Sequence, residues 1–248
     1  MIKAAFAKRR NHRPEQQKAA GIFRKYCWTI AAVALTTLCI ALSGRVIHLL
    51  RSTPTPTVAP STSPVVVPVV APVITVEQMT QIAPEADPKQ LTQLLPYLNQ
   101  AMAEFGINTR LRQAHFLAQV AHESDRFNAL EEYASGEDYE GRLDLGNIHP
   151  GDGQRFKCRG LIGICGRTNY ADASRELGFD LVNNPRRAAD LRLVSRIGAW
   201  YWSTRKLNPD ADRDDIETIT KMINGGLNGL DDRTRLLGRA KKALGVRG

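Results

Sequence analysis

Three glutamates, Glu123, Glu131 and Glu132, are the residues of this sequence whose type and spacing could support acid–base chemistry. Glu123 ends a predicted helix, and the apolar residues Val120 and Phe127, three before and four after it, would share its face. A carboxyl flanked in this way loses solvation, and desolvation raises the pKa of a carboxyl toward the range that a general acid needs near neutral pH. The alternative is an ordinary exposed glutamate at a helix end, which spacing alone favours.

Cooperation between Glu123 and Glu132 requires a break in the chain's helical path. On one continuous helix the two would lie about 13.5 Å apart along the axis and on opposite sides. An inverting glycosidase needs its two carboxyls roughly 6.5–9.5 Å apart, with room for a water. Ser124-Asp125 is a plausible break, and spacing does not choose between Glu131 and Glu132 as the second carboxyl.

The elements that must position these residues are predicted to be mostly helical. Asp87 and Pro88 begin one helix, which Gly106 ends, and a second helix runs from about Thr109 to Ser124. The sequence pattern predicts further helices at about residues 170–177, 185–204, 214–224 and 232–244. Between them lies a long stretch, residues 134–169, that is rich in glycine and charge and has no helical period. Long excursions of this kind are usually functional, so the pattern predicts an α-rich domain with a loop-lined cleft.

Several segments of this domain, in order along the chain, strongly resemble glycoside hydrolase family 19, which includes plant-type chitinases and many bacteriophage endolysins. They are AQVAHES (118–124), EEYASGEDYEGRLDLGN (131–147), PGDGQRFKCRGLIGICGRTNY (150–170), GAWYW (198–202) and INGGLNGLDDR (223–233). The resemblance extends from about residue 90 to residue 245. The bacterial and phage branch is the closer one, because the plant-type disulfides and loops are missing.

The resemblance implies a lysozyme-like fold and an inverting mechanism with two carboxyls in defined roles. Glu123, in the His-Glu-Ser motif, matches the general acid that protonates the leaving oxygen, and Glu132, not Glu131, matches the general base that activates water. Asn169 and Asn224 match positions that line the sugar-binding cleft.

The chain departs from the family pattern at three positions of one loop. Cys158 stands where the family has a glycine, Gly163 where it has a glutamine that helps bind sugar, and Cys165 where it has a hydroxyl residue that helps hold the attacking water. A thiol at position 165 is a weaker hydrogen-bond partner, so we expect reduced or retuned activity. A disulfide between the two cysteines is an open alternative in an oxidising environment.

Other polar and aromatic residues are given structural interpretations. No cysteine or histidine pair has zinc-site spacing, and the sequence gives no sign of a metal or organic cofactor. His115 and His122 could share a helix face but are interpreted as packed or surface residues. Trp200 and Trp202 are interpreted as core residues in preference to a sugar platform.

The formal net charge of +9 belongs to the N-terminal part of the sequence. Residues 1–25 carry eight basic residues against Glu15 alone, and residues 26–75 add two arginines, which leaves residues 76–248 neutral in sum. A neutral domain has no electrostatic footprint for nucleic acid, so none is expected as a partner.

An uncharged apolar run, residues 27–44, is 18 residues long and would span roughly 27 Å as a helix. With residues 1–25 as a basic cytoplasmic segment, the positive-inside rule predicts a transmembrane signal-anchor helix within residues 26–50. A cleaved signal peptide or a buried core helix are the alternatives. Residues 51–75 are proline-rich and predict an extended linker before the domain at 76–248.

These features together predict a monomeric, peptidoglycan-degrading glycosidase of the bacterial inner membrane, with its catalytic domain in the periplasm or outside. It would resemble endolysins and muramidases and hydrolyse β-1,4 glycan bonds with inversion. The anchor favours the cell wall over chitin. A chitinase is one alternative, and a catalytically impaired wall-binding protein is another, which the loss of the family's glutamine and hydroxyl favours and the retention of Glu123 and Glu132 disfavours.

Overall fold

A computed structural model describes residues 72–247 of the chain. Its α-helices are, in order, α1 (Val76–Ile82), α2 (Pro88–Glu104), α3 (Arg110–Glu123), α4 (Asp152–Arg155), α5 (Arg167–Leu177), α6 (Leu191–Thr204), α7 (Asn208–Asp212), α8 (Ile216–Asn224) and α9 (Leu230–Leu244). Three short 3-10 helices add Glu137–Tyr139, Leu143–Leu145 and Pro185–Ala189. The predicted α-rich class is confirmed. Strand-like pairing within residues 72–247 is confined to two isolated bridges, Glu131 with Arg159 and Arg159 with Ile164.

The predicted basic segment, transmembrane helix and nearly all of the linker lie outside the described residues. From residue 72 to residue 247, no helix has both the length and the apolar character needed to cross a bilayer.

Side-chain caps explain where the two best-predicted helices begin. Asp87 accepts a hydrogen bond from the backbone N–H of Gln90 at the start of α2, with Pro88 in the first turn. Thr109 accepts from the backbone N–H of Arg112 at the start of α3. Both helices therefore begin where the sequence predicts.

Helix α3 lies at the centre of the domain, since nearly every side chain from Gln113 to Glu123 is buried. Helix α9 packs against α3 and α1, and α2 packs against α6. Phe116 of α3 meets Trp202 of α6 edge-to-face, with ring centroids 5.5 Å apart. Trp200 and Trp202 are both buried, in agreement with their interpretation as core residues. The helix that ends at Glu123 is thus held by packing on several sides.

Some predicted boundaries differ from the structure. The stretch 185–204 is divided, because Asp190 has an extended backbone between the 3-10 turn and α6. Helix α5 begins at Arg167, three residues before the predicted start, directly after Gly166. The excursion at 134–169 contains two 3-10 helices and the single turn of α4, and it supplies one side of the site described next.

Candidate active site

The helix that carries Glu123 ends abruptly at that residue. Ser124 caps it, and the three following residues, Asp125, Arg126 and Phe127, have φ values of 49°, 58° and 67°. Left-handed backbone is uncommon for residues other than glycine. The Ser124 hydroxyl accepts a hydrogen bond from the Phe127 backbone N–H at 3.1 Å, which helps to hold this turn. The predicted break at Ser124-Asp125 is therefore present.

The Glu123 side chain is buried beside a cation. Its residue is 2% exposed, and its Oε1 accepts a hydrogen bond from Nη2 of Arg233, 2.6 Å away, on α9. Arg233 is itself fully buried and also donates to Oε1 of Gln119, one turn earlier on α3. The expected burial is observed, and Val120, three residues before Glu123 on the same helix, is buried as expected. Phe127 is buried beyond the end of the helix, so it does not flank Glu123 at helical spacing, and the sequence reasoning did not foresee the charged neighbour Arg233.

Glu132 lies in the extended segment that follows the turn, and it is 3% exposed. Its Oε1 accepts a hydrogen bond from the backbone N–H of Cys158 at 2.7 Å, and its Oε2 accepts one from the Tyr139 hydroxyl at 2.9 Å. Burial raises the pKa of Glu132 above its usual value, although these two hydrogen bonds act in the opposite direction. The carboxyl is thus fixed in orientation and shielded from solvent.

Glu131, directly before it, has the opposite environment. Its carboxylate pairs with Nζ of Lys157 and Nε of Arg159, each at 2.6 Å. Partial burial acts to raise the pKa of Glu131, but the hydrogen bonds from these two cations hold it below its usual value. Successive side chains of an extended segment point to opposite sides, which explains how two adjacent glutamates reach different surroundings.

Cys158 and Cys165 form a disulfide, with their Cα atoms 4.2 Å apart. The bond closes a small hairpin in which Arg159 and Ile164 exchange backbone hydrogen bonds of 3.1 and 2.8 Å. Position 165 therefore does not present the free thiol that would stand in for the family's hydroxyl. Cys158 Sγ lies 3.3 Å from the Tyr139 hydroxyl, so the disulfide borders the groups around Glu132.

The two predicted cleft asparagines lie in different parts of the site. Asn169, half-buried on α5, donates a hydrogen bond through Nδ2 to the Cys165 carbonyl at 2.7 Å. Asn224, buried at the end of α8, accepts from Nδ2 of Asn228 at 3.0 Å, and the Asn228 carbonyl accepts from Nε of Arg233 at 3.3 Å. Asn169 is thereby linked to the Glu132 side and Asn224 to the Glu123 side.

The sequence alone assigns no role to two residues of this arrangement, Arg233 and Tyr139. Arg233 belongs to the matched segment 223–233, which is the one signal that could have indicated it. Tyr139 lies in the matched segment 131–147, seven residues after Glu132, and local spacing does not single it out.

The two candidate histidines have structural partners. His115 Nε2 lies 2.7 Å from Asp214, and His122 Nδ1 lies 2.6 Å from Asp232. Burial lowers the pKa of both. Within the described part of the chain, no group of three or more His, Cys, Asp or Glu side chains is arranged to hold a metal ion.

The described part of the chain is α-rich and buries two carboxyls, Glu123 and Glu132, and comparison with known proteins gives its class and family. No family model matches the chain. It is 32% identical over 162 residues to a glycosyl hydrolase family 19 domain-containing protein of Haemophilus influenzae, a match that covers 53% of this chain and 79% of that protein. The chain belongs to glycoside hydrolase family 19.

Plant and bacterial chitinases give further similarity. An endochitinase of Solanum tuberosum is 32% identical over 183 residues, which cover 56% of this chain and about half, 55%, of the potato protein. The structure of chitinase C from Streptomyces griseus has a TM-score of 0.59 at 20% identity, covering 74% of this chain and 96% of that one. A bacterial family 19 chitinase structure has a TM-score of 0.56 at 24% identity, covering 72% and 96%. These structures support the fold.

Proposed function

We propose that this enzyme hydrolyses the β-1,4-linked glycan strands of peptidoglycan with inversion at the anomeric carbon. The observation that carries the mechanism is the contrast between neighbouring glutamates. Glu131 is held as an ion-paired carboxylate, whereas Glu132 is buried, has a raised pKa and accepts one hydrogen bond on each oxygen. A group with a raised pKa and a fixed orientation suits a general base near neutral pH.

In the proposed reaction, a water molecule attacks the anomeric carbon while the bond from that carbon to the glycosidic oxygen breaks. Glu132 accepts a proton from the water, and Glu123 donates its proton to the leaving oxygen. Both carboxyls are restored by exchange with solvent after the products leave. Asn169 and Asn224 are proposed to contact the sugars on either side.

Arg233 has a specific consequence for the proposed acid. Glu123 and Arg233 form a salt bridge with both side chains buried. To act as an acid, Glu123 must take up a proton while this guanidinium stays beside it. We propose that sugar entering the cleft shifts the Glu123 carboxyl away from Arg233, which remains held by Gln119 and the Asn228 carbonyl.

Chitin is the second candidate substrate, and the names of the relatives favour it. Relatives from Solanum tuberosum and Arabidopsis thaliana, 32% and 31% identical, are described as endochitinases. The predicted membrane anchor favours the cell wall, because peptidoglycan is the glycan next to a bacterial inner membrane. A relative from Hevea brasiliensis, 30% identical over 95 residues, is described as an inactive chitinase-like protein, which keeps a wall-binding protein as the third candidate.

Assays of released reducing sugar separate these candidates. The full chain should release reducing ends from purified peptidoglycan and not from chitin, and Glu123→Gln should release none. Release from chitin alone would establish the second candidate. A folded protein that binds peptidoglycan without cleaving either polymer would establish the third.

We also propose that residues 27–44 hold the enzyme in the cytoplasmic membrane with the domain outside. The support is the uncharged run that follows eight basic residues. Full-length protein should pellet with membranes, and external protease should remove the domain from spheroplasts. Protein that is found in the cytosolic fraction and protected from protease would contradict this topology.

A further inference from the structure

A basic pocket lies on the side of the Glu131–Glu132 segment that Glu131 faces. It has a volume of about 690 Å³ and is formed by α4, the strand-like residues that follow it, and the turn before α6. We call this cavity the basic pocket. Its charged lining residues are Arg155, Lys157, Arg159, Arg186, Arg187 and Glu131. The domain is neutral in sum, so this is a local concentration of positive charge.

The positive charge of the basic pocket is only partly balanced by the protein. Lys157 and Arg159 both pair with the carboxylate of Glu131, and both also attract the carboxyl of Glu132. Arg155 donates to two backbone carbonyls, those of Val182 and Asn183, at 3.0 and 3.2 Å, and these carry no formal charge.

The turn before α6 adds two more cations. Arg186 and Arg187 are both exposed, and the ion pair of Arg187 with the exposed Asp190 is long, at 3.8 Å. The basic pocket thus offers exposed guanidinium groups, which bind carboxylates in a bidentate geometry.

We propose that the basic pocket binds the carboxylates of the peptides that substitute the glycan strands of peptidoglycan. The proposal rests on the proposed function and adds a recognition site to it. Chitin is a neutral polymer and has nothing to place in such a pocket, whereas each peptide-bearing sugar of peptidoglycan carries several carboxylates.

The position of the pocket suits such a substituent. Glu131 lines the pocket and is adjacent in sequence to Glu132, the proposed base, so the pocket lies next to the segment that carries this base. A four-residue peptide extends roughly 13 Å, and the proposal requires it to pass from a sugar near Glu132 to the other side of this segment. Attraction to the pocket would therefore select substituted strands over chitin.

The test measures how tightly the full chain binds purified insoluble peptidoglycan. Every protein tested carries Glu132→Gln, so that the polymer is not hydrolysed during the measurement. The peptidoglycan is first freed of covalently attached phosphate polymers. One sample of peptidoglycan is left untreated and a second has its carboxyl groups converted to amides. The pocket variant is Arg186→Glu with Arg187→Glu. The matched control is Arg175→Glu with Arg213→Glu, which makes the same charge change at exposed, ion-paired arginines that do not line the pocket.

We expect the pocket variant to bind untreated peptidoglycan roughly three- to tenfold more weakly than the control, as the loss of exposed charge contacts implies. Binding of the control to the amidated peptidoglycan should be as weak as binding of the pocket variant to the untreated peptidoglycan. Equal binding by the pocket variant and the control, or no effect of amidation, would overturn the proposal. A third sample, cell walls that retain these phosphate polymers, is measured in parallel. A difference between the two variants on this sample alone would also overturn the proposal, in favour of phosphate as the ligand.

Failure of the proposed function is recognised separately. Hydrolysis of chitin but not of peptidoglycan, together with weaker peptidoglycan binding by the pocket variant, would contradict the function and leave the pocket proposal standing. Hydrolysis of peptidoglycan with equal binding by both variants would contradict the pocket alone.

Discussion

The backbone N–H of Cys158 donates a hydrogen bond to Oε1 of Glu132 at 2.7 Å, and the Glu132 N–H donates to the Cys158 carbonyl at 3.0 Å. Cys158 is also one half of the disulfide with Cys165, whose carbonyl accepts from Asn169. The disulfide loop is therefore hydrogen-bonded to Glu132, the proposed base, at one end and to Asn169, a proposed sugar-binding residue, at the other.

The two adjacent glutamates should differ sharply in their importance for turnover. Glu132→Gln removes the group that accepts the water's proton, and loss of a general base typically costs 10²–10⁴-fold in rate. Glu131→Gln removes one carboxylate from an ion-paired cluster and should have a mild effect. The measurement is kcat/KM for release of reducing ends, and a larger loss for Glu131→Gln would show that the base is wrongly assigned.

The same two substitutions should change stability with opposite dependence on pH. The pKa of Glu132 is raised in the folded protein, so folding loses stability as pH rises from the ordinary glutamate pKa through this raised value. Glu132→Gln removes that loss and should raise the melting temperature, relative to wild type, more at pH 7 than at pH 4.

Glu131 provides the matched comparison, because its pKa is lowered in the folded protein. The stability that it contributes is present above the ordinary glutamate pKa and is lost as pH falls through the lowered value. Glu131→Gln should therefore cost more stability at pH 7 than at pH 4. Parallel pH profiles for the two variants would contradict the environments described for these carboxyls.

The disulfide should stabilise the domain without being needed for chemistry. Cys158 and Cys165 are seven residues apart. A disulfide that closes a loop of this size should add about 2–3 kcal/mol to the free energy of unfolding. Cys158→Gly with Cys165→Thr should lose that stability in denaturant unfolding. The activity of this double variant should equal or exceed that of the wild type. Glycine keeps the backbone N–H that donates a hydrogen bond to Glu132, and threonine restores a hydroxyl at position 165.

Reductant gives an independent check on the disulfide. It should lower the unfolding free energy of the wild-type domain by the same amount and leave the double variant unchanged. A wild-type domain unaffected by reductant, or a folded double variant with a large loss of activity, would show that the cysteines have another role.

Breaking the buried pair of Glu123 and Arg233 should be costly for folding. Arg233→Met leaves a buried carboxylate without its cation and should destabilise the domain by about 3–5 kcal/mol. Arg235→Met, on the same helix but with a 60% exposed side chain, should change stability by less than about 1 kcal/mol. If Arg233→Met together with Glu123→Met is not more stable than Arg233→Met alone, the pair is not the source of the loss.

Capping residues and helical periodicity in the sequence are sufficient to predict the long helices, but they do not predict the short ones. Asp87 and Thr109 have the residue types that cap helices, and α2 and α3 begin directly after them. Helices α1 and α7 have seven and five residues and were not predicted. Two turns or fewer do not repeat often enough to reveal a helical period.

The environments of the candidate site residues could not be predicted from the sequence for a different reason. They depend on contacts between residues that are far apart in the sequence. The break after Glu123 was anticipated from Ser124-Asp125, but Arg233 is 110 residues from Glu123. The contrast between Glu131 and Glu132 likewise depends on Lys157, Cys158 and Arg159, which the excursion at 134–169 brings back beside them. The resemblance to family 19 implies the role of Glu132. The burial and hydrogen bonds that suit Glu132 to that role appear only in the folded chain.

The most direct test of the proposed function is proton NMR of purified peptidoglycan during the first minutes of digestion by the full chain, with chitin treated in parallel. We predict that new reducing ends appear from peptidoglycan, and that they appear first as the α-anomer because the β-linkage is inverted. With Glu132→Gln they should appear about 10²–10⁴-fold more slowly. Early formation of the β-anomer would contradict the inverting mechanism, and hydrolysis of chitin without hydrolysis of peptidoglycan would contradict the proposed substrate.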